Sequence, residues 1–328
     1  MRSLNLAGWP REAQRAAPAE SLLAAIGNTP LLELDPGPEA APGARLFAKL
    51  EGVNPGGSIK DRPVARMLTR ALAEGRFEGG RRLLDSSSGN AGIAYAQLGA
   101  ALGIGVTLVI PGNASGERLE RIAAHGAEVI LTDPGEGYDH AVWTARRMAE
   151  EQPERYWYCD QYSNPDNWRA HYETTAAEIL EQVERATGGL PDAFIAGVGT
   201  GGTLTGVGRR LREACGDVVI ASVIPEIFPG IEGLKPLGQP EDLVPEILDA
   251  SLIDRRIEVT LEEAAATCLE LARHGLFVGP SSGAYVLAAR QVAAEGRCRT
   301  LVTVLSDTGE RYGSTGLWRS SDLPNDLV

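Results

Sequence analysis

Short apolar runs of strand type alternate with longer stretches of helical periodicity along almost the whole chain, and this alternation constrains the fold more than any other feature. Strand candidates lie at 46–51, 82–85, 106–110, 128–132, 193–198, 218–223 and 300–305; helical patterns lie at 62–74, 118–125, 138–150, 168–187, 204–214, 261–274 and 284–294. Strands separated by helices cannot pair as tight hairpins. They pair in parallel, with helices covering both faces of the sheet. A chain of 328 residues is long enough for two such α/β domains at about 150 residues per domain. The turn cluster Ser163-Asn164-Pro165-Asp166, with a helix cap, marks a change of domain near 161–165. The Pro-rich stretch 225–245 reads as one long surface excursion, a kind of loop that often carries function.

Charge and composition narrow the function. The 31 basic and 44 acidic residues leave a net charge of −13, which disfavours nucleic acid and anionic membrane as partners. Residues 86–116 carry no formal charge and are long enough to span a bilayer. Polar residues, repeated glycines and a change from helical to strand periodicity identify the stretch instead as a buried helix followed by a buried strand. Cys159, Cys215, Cys268 and Cys298 are far apart, as are His125, His140, His171 and His274. This is the pattern of reduced buried thiols in an intracellular protein, with no metal site expected. The Ala/Pro-rich first 19 residues lack an apolar secretion segment and read as a flexible arm, with a transit peptide as the alternative.

Three glycine-rich loops each follow a strand and open a helix. In Asn54-Pro55-Gly56-Gly57-Ser58-Ile59-Lys60-Asp61-Arg62 a lysine stands at a helix start, where the positive dipole end disfavours an ammonium and helps lower the amine pKa. Schiff-base chemistry needs such an amine, although a lone lysine after glycines is ordinarily a surface residue. In Ser86-Ser87-Ser88-Gly89-Asn90-Ala91-Gly92 small polar residues form a nest of backbone N–H groups suited to a carboxylate or phosphate, or serve as plain caps. In Gly197-Val198-Gly199-Thr200-Gly201-Gly202-Thr203 the glycine spacing admits a dinucleotide, with Glu226 as its ribose acid, while the threonines suit a monophosphate. Gly279-Pro280-Ser281-Ser282-Gly283 opens a fourth helix.

Together and in this order, these segments resemble the fold-type II pyridoxal-phosphate enzymes, most closely the cysteine synthase (O-acetylserine sulfhydrylase) group, with cystathionine β-synthase a near relative. The resemblance covers 20–318, opening with Ile26-Gly27-Asn28-Thr29-Pro30-Leu31 and closing with Asp307-Thr308-Gly309-Glu310-Arg311-Tyr312. It implies a tryptophan synthase β-subunit-like fold of two three-layer α/β domains, with pyridoxal 5'-phosphate in the interdomain cleft. The domains it implies are a mobile N-terminal one (20–31 plus 54–164) and a C-terminal one (32–53 plus 165–328). Lys60 would carry the Schiff base and act as the Cα base. Asn90 would bond the cofactor's phenolic oxygen, Gly199, Thr200, Gly201, Gly202 and Thr203 would hold its phosphate, and Ser281 would face the pyridine nitrogen. Ser87, Ser88, Gly89 and Gln161 would bind the substrate carboxylate. The implied reaction is β-replacement on O-acetyl-L-serine through an α-aminoacrylate, giving L-cysteine in a cytoplasmic homodimer. Other donors or nucleophiles (O-phosphoserine, thiosulfate, a thiocarboxylate, or serine with homocysteine) and a silent ligand-binding protein are the alternatives. Ala91 stands where the family usually has threonine, which bears on substrate identity, and Lys235 in the excursion is a candidate for attracting anionic sulfur donors.

Overall fold

Two sheets organise the chain, which a computed structural model describes over residues 21–87, 89–237 and 244–318. The expected N-terminal arm and Ser88 lie outside these residues. In chain order the strands are β1 (Leu31–Leu34), β2 (Arg45–Leu50), β3 (Arg82–Ser86), β4 (Val106–Pro111), β5 (Glu128–Thr132), β6 (Tyr156–Tyr158), β7 (Ala193–Gly197), β8 (Val219–Pro225), β9 (Arg255–Val259) and β10 (Thr300–Leu305). The helices are α1 (Asp61–Ala73), α2 (Asn90–Leu102), α3 (Gly116–Ala124), α4 (Gly137–Glu151), α5 (Pro165–Ala170), α6 (Ala176–Thr187), α7 (Gly202–Cys215), α8 (Leu261–Arg273) and α9 (Pro280–Ala294).

The larger sheet runs β1-β2-β10-β7-β8-β9 and the smaller β5-β4-β3-β6. Every pairing is parallel except β1 with β2, so the α/β class with mostly parallel sheets is the observed one. Each sheet has its own core: Phe194, Ile220 and Val302 in the larger, Leu83, Leu98 and Leu108 in the smaller. All six residues of β4 are buried, which accounts for its unbroken apolar run. In α1 the buried Val64, Met67, Leu68 and Ala71 recur at helical spacing and turn that helix's inner face to the core of the smaller sheet. The charge-free stretch 86–116 is α2 followed by β4, and no helix among the described residues is long and apolar enough to cross a membrane.

The structure differs from the sequence reading in four places. The helix expected at 168–187 begins at Pro165, capped by the Asn164 side chain, and passes through a π-turn at His171–Thr175. The helix expected from 284 begins at Pro280 with Gly279 as N-cap, so Ser281 and Ser282 lie in its first turn and cap nothing. Strands β1, β6 and β9 carried no recognisable signal. Of the cysteines, Cys215 is only partly buried.

Chain direction places the site. In parallel α/β sheets, ligand-binding loops leave the carboxyl ends of the strands. Here the loop carrying Lys60 follows β2, the Asp307 segment follows β10, and the 199–203 loop follows β7, three strands adjacent in the larger sheet. The 87–90 loop leaves β3 of the smaller sheet in the same manner.

Candidate active site

Lys60 sits immediately before α1, and charged side chains fix its loop at both ends. Arg62 holds Glu51 with two bonds, Nε to Oε2 at 2.7 Å and Nη2 to Oε1 at 2.8 Å, and reaches Glu178 at 2.6 Å. Both members of the Arg62–Glu51 pair are buried. Such a forked pair fixes direction as well as distance. Asn54 Nδ2 closes the loop onto the Glu51 and Ser58 carbonyls, and Lys49 joins the cluster through Glu178 at 2.6 Å. The chain has three lysines, Lys49, Lys60 and Lys235. The first is consumed by this network; no hydrogen bond or ion pair engages the Lys60 ammonium among the described residues. Burial lowers the pKa of Lys60 below that of an ordinary lysine, with Asp307 opposing the shift. A neutral amine is therefore reached at a lower pH than on a surface lysine.

Lys60 lines a cavity of about 410 Å³ together with Ser87, Gly89, Asn90, Gln161, Gly199 and Thr200. Its helix-end wall is α2, whose N-cap Gly89 leaves the first-turn amides without a side-chain cap, the condition for holding an anion. Asp85 underpins this wall: its carboxylate accepts from Ser86 N at 2.7 Å, Tyr95 Oη at 2.7 Å and Gln161 N at 3.3 Å. Gln161 Nε2 donates to Ser86 O at 3.0 Å. Burial raises the Asp85 pKa to about 7.

A second, narrower cavity runs from Lys60 past Gly199, Thr200, Gly201, Gly202 and Thr203 to Tyr285. Its end is the N-terminus of α7, also without a side-chain cap. A side chain would not fit here. A Cβ at Gly199 would lie 2.7 Å from Gly233 O, one at Gly201 would lie 2.9 Å from Leu248 Cβ, and one at Gly202 would run into Asn167. Gly201 also has φ +83°. Thr203 Oγ1 lies 3.3 Å from His171 Nε2, and burial drives the His171 pKa well down, so a neutral imidazole borders the cradle. Free amides, threonine hydroxyls and a gap that a Cβ would fill suit a phosphate group whose other end reaches Lys60. Ser281 is buried in the first turn of α9 but lines neither cavity; Tyr285, one turn on, interacts with it and lines the narrow one.

The structure thus gathers Lys60, Ser87, Gly89, Asn90, Gln161 and the residues 199–203 around two joined cavities, with Ser281 beside Tyr285 and Ser88 outside the described residues. Glu226, the candidate ribose acid, instead accepts from Leu261 N at 2.8 Å. At the mouth, Glu232 pairs with Arg118, not with Lys235, whose Nζ lies 3.5 Å from Asp139 and 5.3 Å from the centre of the Tyr162 ring. Sequence reasoning missed Asn167, whose Nδ2 joins Gln161 O at 2.7 Å to Thr200 Oγ1 at 3.1 Å. It also missed Arg118, Asp307 and Arg311. Their only signal was membership of the quoted motifs or proximity to them.

A buried lysine of lowered pKa, between an amide-lined anion site and a phosphate-sized cradle, defines an enzyme of the class that works through a lysine-bound, phosphate-bearing aldehyde. Residues 22–307 match the family described as pyridoxal-phosphate dependent enzyme. The chain is 44% identical over 311 residues to the cysteine synthase of Aquifex aeolicus, covering 92% of this chain and 93% of that protein. It is 40% identical to cysteine synthase B of Escherichia coli, covering 89% and 94%. Among solved structures, the cysteine synthase of Entamoeba histolytica superposes with a TM-score of 0.86 at 33% identity, covering 95% of this chain and 94% of that one. An O-ureido-L-serine synthase superposes with a TM-score of 0.83 at 35% identity, covering 94% and 97%. The chain belongs to the pyridoxal-phosphate dependent enzyme family.

Proposed function

We propose that this enzyme is a cysteine synthase that uses O-acetyl-L-serine: acetate leaves Cβ with the electron pair of the broken C–O bond, and sulfide forms the new Cβ–S bond. The observation that carries the reading is one cavity lined by Lys60, the open end of α2, Gln161 and the start of the phosphate-sized cradle. Pyridoxal 5'-phosphate supplies an electron sink that acidifies the substrate Cα–H. Lys60 is the residue that bonds the cofactor and, once released, its Nζ takes up the Cα proton, a task favoured by the burial that lowers the amine's pKa. The first-turn amides of α2, with Ser87, Ser88, Gly89 and Gln161, hold the substrate carboxylate. Gly199, Thr200, Gly201, Gly202 and Thr203 hold the phosphate, Asn90 donates to the cofactor's phenolic oxygen, and Ser281 faces the ring nitrogen.

The same reading divides the chain into a mobile domain, 20–31 plus 54–164, and a fixed one, 32–53 plus 165–328. Ion pairs from α3 and α4 to the 231–235 loop, Arg118 with Glu232 and Asp139 with Lys235, support a closure that brings these regions together over the substrate. By its resemblance to cysteine synthases the enzyme acts as a cytoplasmic homodimer. Incubating the purified, cofactor-loaded protein with O-acetyl-L-serine and sulfide tests the activity. Equimolar cysteine and acetate are expected. Turnover of O-phosphoserine or of serine with homocysteine, with none of O-acetyl-L-serine, would transfer the reading to one of the alternative donors.

A further inference from the structure

The segment that follows β10 ties together loops from both sheets. Asp307, buried to 1% exposure, accepts from Asn90 Nδ2 at 2.5 Å and from Tyr312 Oη at 2.6 Å, both on Oδ2. Arg311 Nη1 donates to Asn90 Oδ1 at 2.5 Å. The two ends of the Asn90 amide therefore face opposite charges: the oxygen meets a guanidinium, and one N–H meets a carboxylate. Turning the amide over would set oxygen against carboxylate and NH₂ against guanidinium, making both contacts repulsive. With its oxygen and one N–H engaged in this way, the amide has a single N–H left for the cavity that Asn90 lines with Lys60.

We propose that Asp307 and Arg311 act as a polarity clamp on Asn90, fixing its amide so that it presents a donor, never an acceptor, to the cofactor's phenolic oxygen. Both are positioning residues: they act through Asn90. The proposal rests on the role given to Asn90 above. The clamp is itself held firmly. Asp307 Oδ1 and the Tyr312 ring fill the space that a Cβ at Gly279 would need. Arg311 Nη2 also donates to Gly56 O in the loop that carries Lys60, and Arg118 Nη2 donates to Arg311 O at 3.2 Å while its guanidinium lies 5.0 Å from the centre of the Tyr312 ring. Asp307 is in addition the carboxylate that acts on the Lys60 amine, opposing the effect of burial. A donor aimed at the phenolic oxygen favours its ionised form, so the cofactor's visible spectrum reads the clamp directly.

The test compares cofactor-loaded Asn90→Ala, Asp307→Asn and Arg311→Gln, recording the visible absorption maximum and the cofactor dissociation constant beside kcat and KM. Asp307→Asn is near-isosteric; it removes the charge and turns one acceptor oxygen into an NH₂ donor. It is expected to move the absorption maximum in the same direction as Asn90→Ala and to weaken cofactor binding about tenfold, with Arg311→Gln giving a smaller shift of the same sign. If Asn90→Ala moves the maximum while both clamp variants keep it and hold the dissociation constant within about twofold, the clamp is wrong and the role of Asn90 stands. If Asn90→Ala leaves both quantities unchanged, the role of Asn90 fails and the clamp falls with it. Should Asp307→Asn fail to fold, Arg311→Gln alone decides by the same two readings.

Discussion

Two helix N-termini face the cleft, one from each sheet, and they are built in opposite ways. At α7 the glycines are sterically compulsory, because Gly233 O, Leu248 and Asn167 occupy the space that side chains would need. At α2 the cap glycine is less crowded: a Cβ at Gly89 would meet nothing within 4 Å among the described residues, and its φ of −99° is one that other residues adopt. The fastenings differ too. The α7 end is braced by the neutral amide of Asn167, the α2 end by the buried carboxyl of Asp85. A tight end suits a group that stays, such as a cofactor phosphate, and a roomy end suits a carboxylate that enters and leaves with each turnover. Helix α8 shows the ordinary alternative: a Thr260–Glu263 capping box occupies the amides of those two residues, and Glu226 occupies that of Leu261.

One added methyl group at each end separates the two most clearly. Gly202→Ala forces Asn167 aside, and with it the bonds to Gln161 and Thr200, so loss of cofactor retention by about 100-fold or more is expected, from two buried hydrogen bonds and a steric clash. Gly89→Ala is expected to retain the cofactor and to raise the KM for the amino-acid donor by only about three- to tenfold. Equilibrium dialysis with cofactor and initial-rate kinetics measure the two effects. Equal cofactor loss in both variants would erase the distinction.

The fastenings give a pH signature. Because burial raises the Asp85 pKa to about 7, against about 3.9 in an unfolded chain, the native state keeps a proton that the unfolded state has released. The associated stabilisation is complete below about pH 4 and is lost as pH rises towards about 7, with a slope of at most about 1.4 kcal/mol per pH unit. Asp61, raised to about 6 by burial, adds to the lower part of that window. Asp85→Asn is expected to flatten the dependence of stability between pH 6 and pH 7, as read from denaturant midpoints. An unchanged slope in the variant would show that Asp85 does not hold the proton.

The smallest expected effect lies at the cleft mouth. Lys235, partly neutralised by Asp139, is expected to favour an anionic sulfur donor by about twofold to fivefold, in keeping with a part-screened surface charge. Lys235→Ala should lower the rate with thiosulfate and spare the rate with sulfide. An equal fall with both would remove selective recruitment and leave Lys235 as a part of the closure alone.

What the sequence disclosed follows the same division between local and distant. Periodicity is a local property, so the strands of both sheet interiors and most helices were legible. Strand β6 has three residues, and β1 and β9 are edges of the larger sheet with partly exposed faces, too short and too polar to stand out. The glycine loops were legible because each lies next to the helix it opens. The polar partners were not, since Arg311 meets Asn90 across 221 positions and Arg62 meets Glu178 across 116, and nothing local encodes such pairings.

The central claim is that Lys60, alone among three lysines, bonds the cofactor. Borohydride reduction of the cofactor-loaded protein, followed by peptide mapping, tests it directly. The label is expected on the peptide containing Lys60 and nowhere else, because Lys49 is held by Glu178 and Gln182 and Lys235 stands at the mouth beside Asp139. Label on Lys49 or Lys235, or a labelled Lys60→Ala variant with near-normal turnover, would contradict the account.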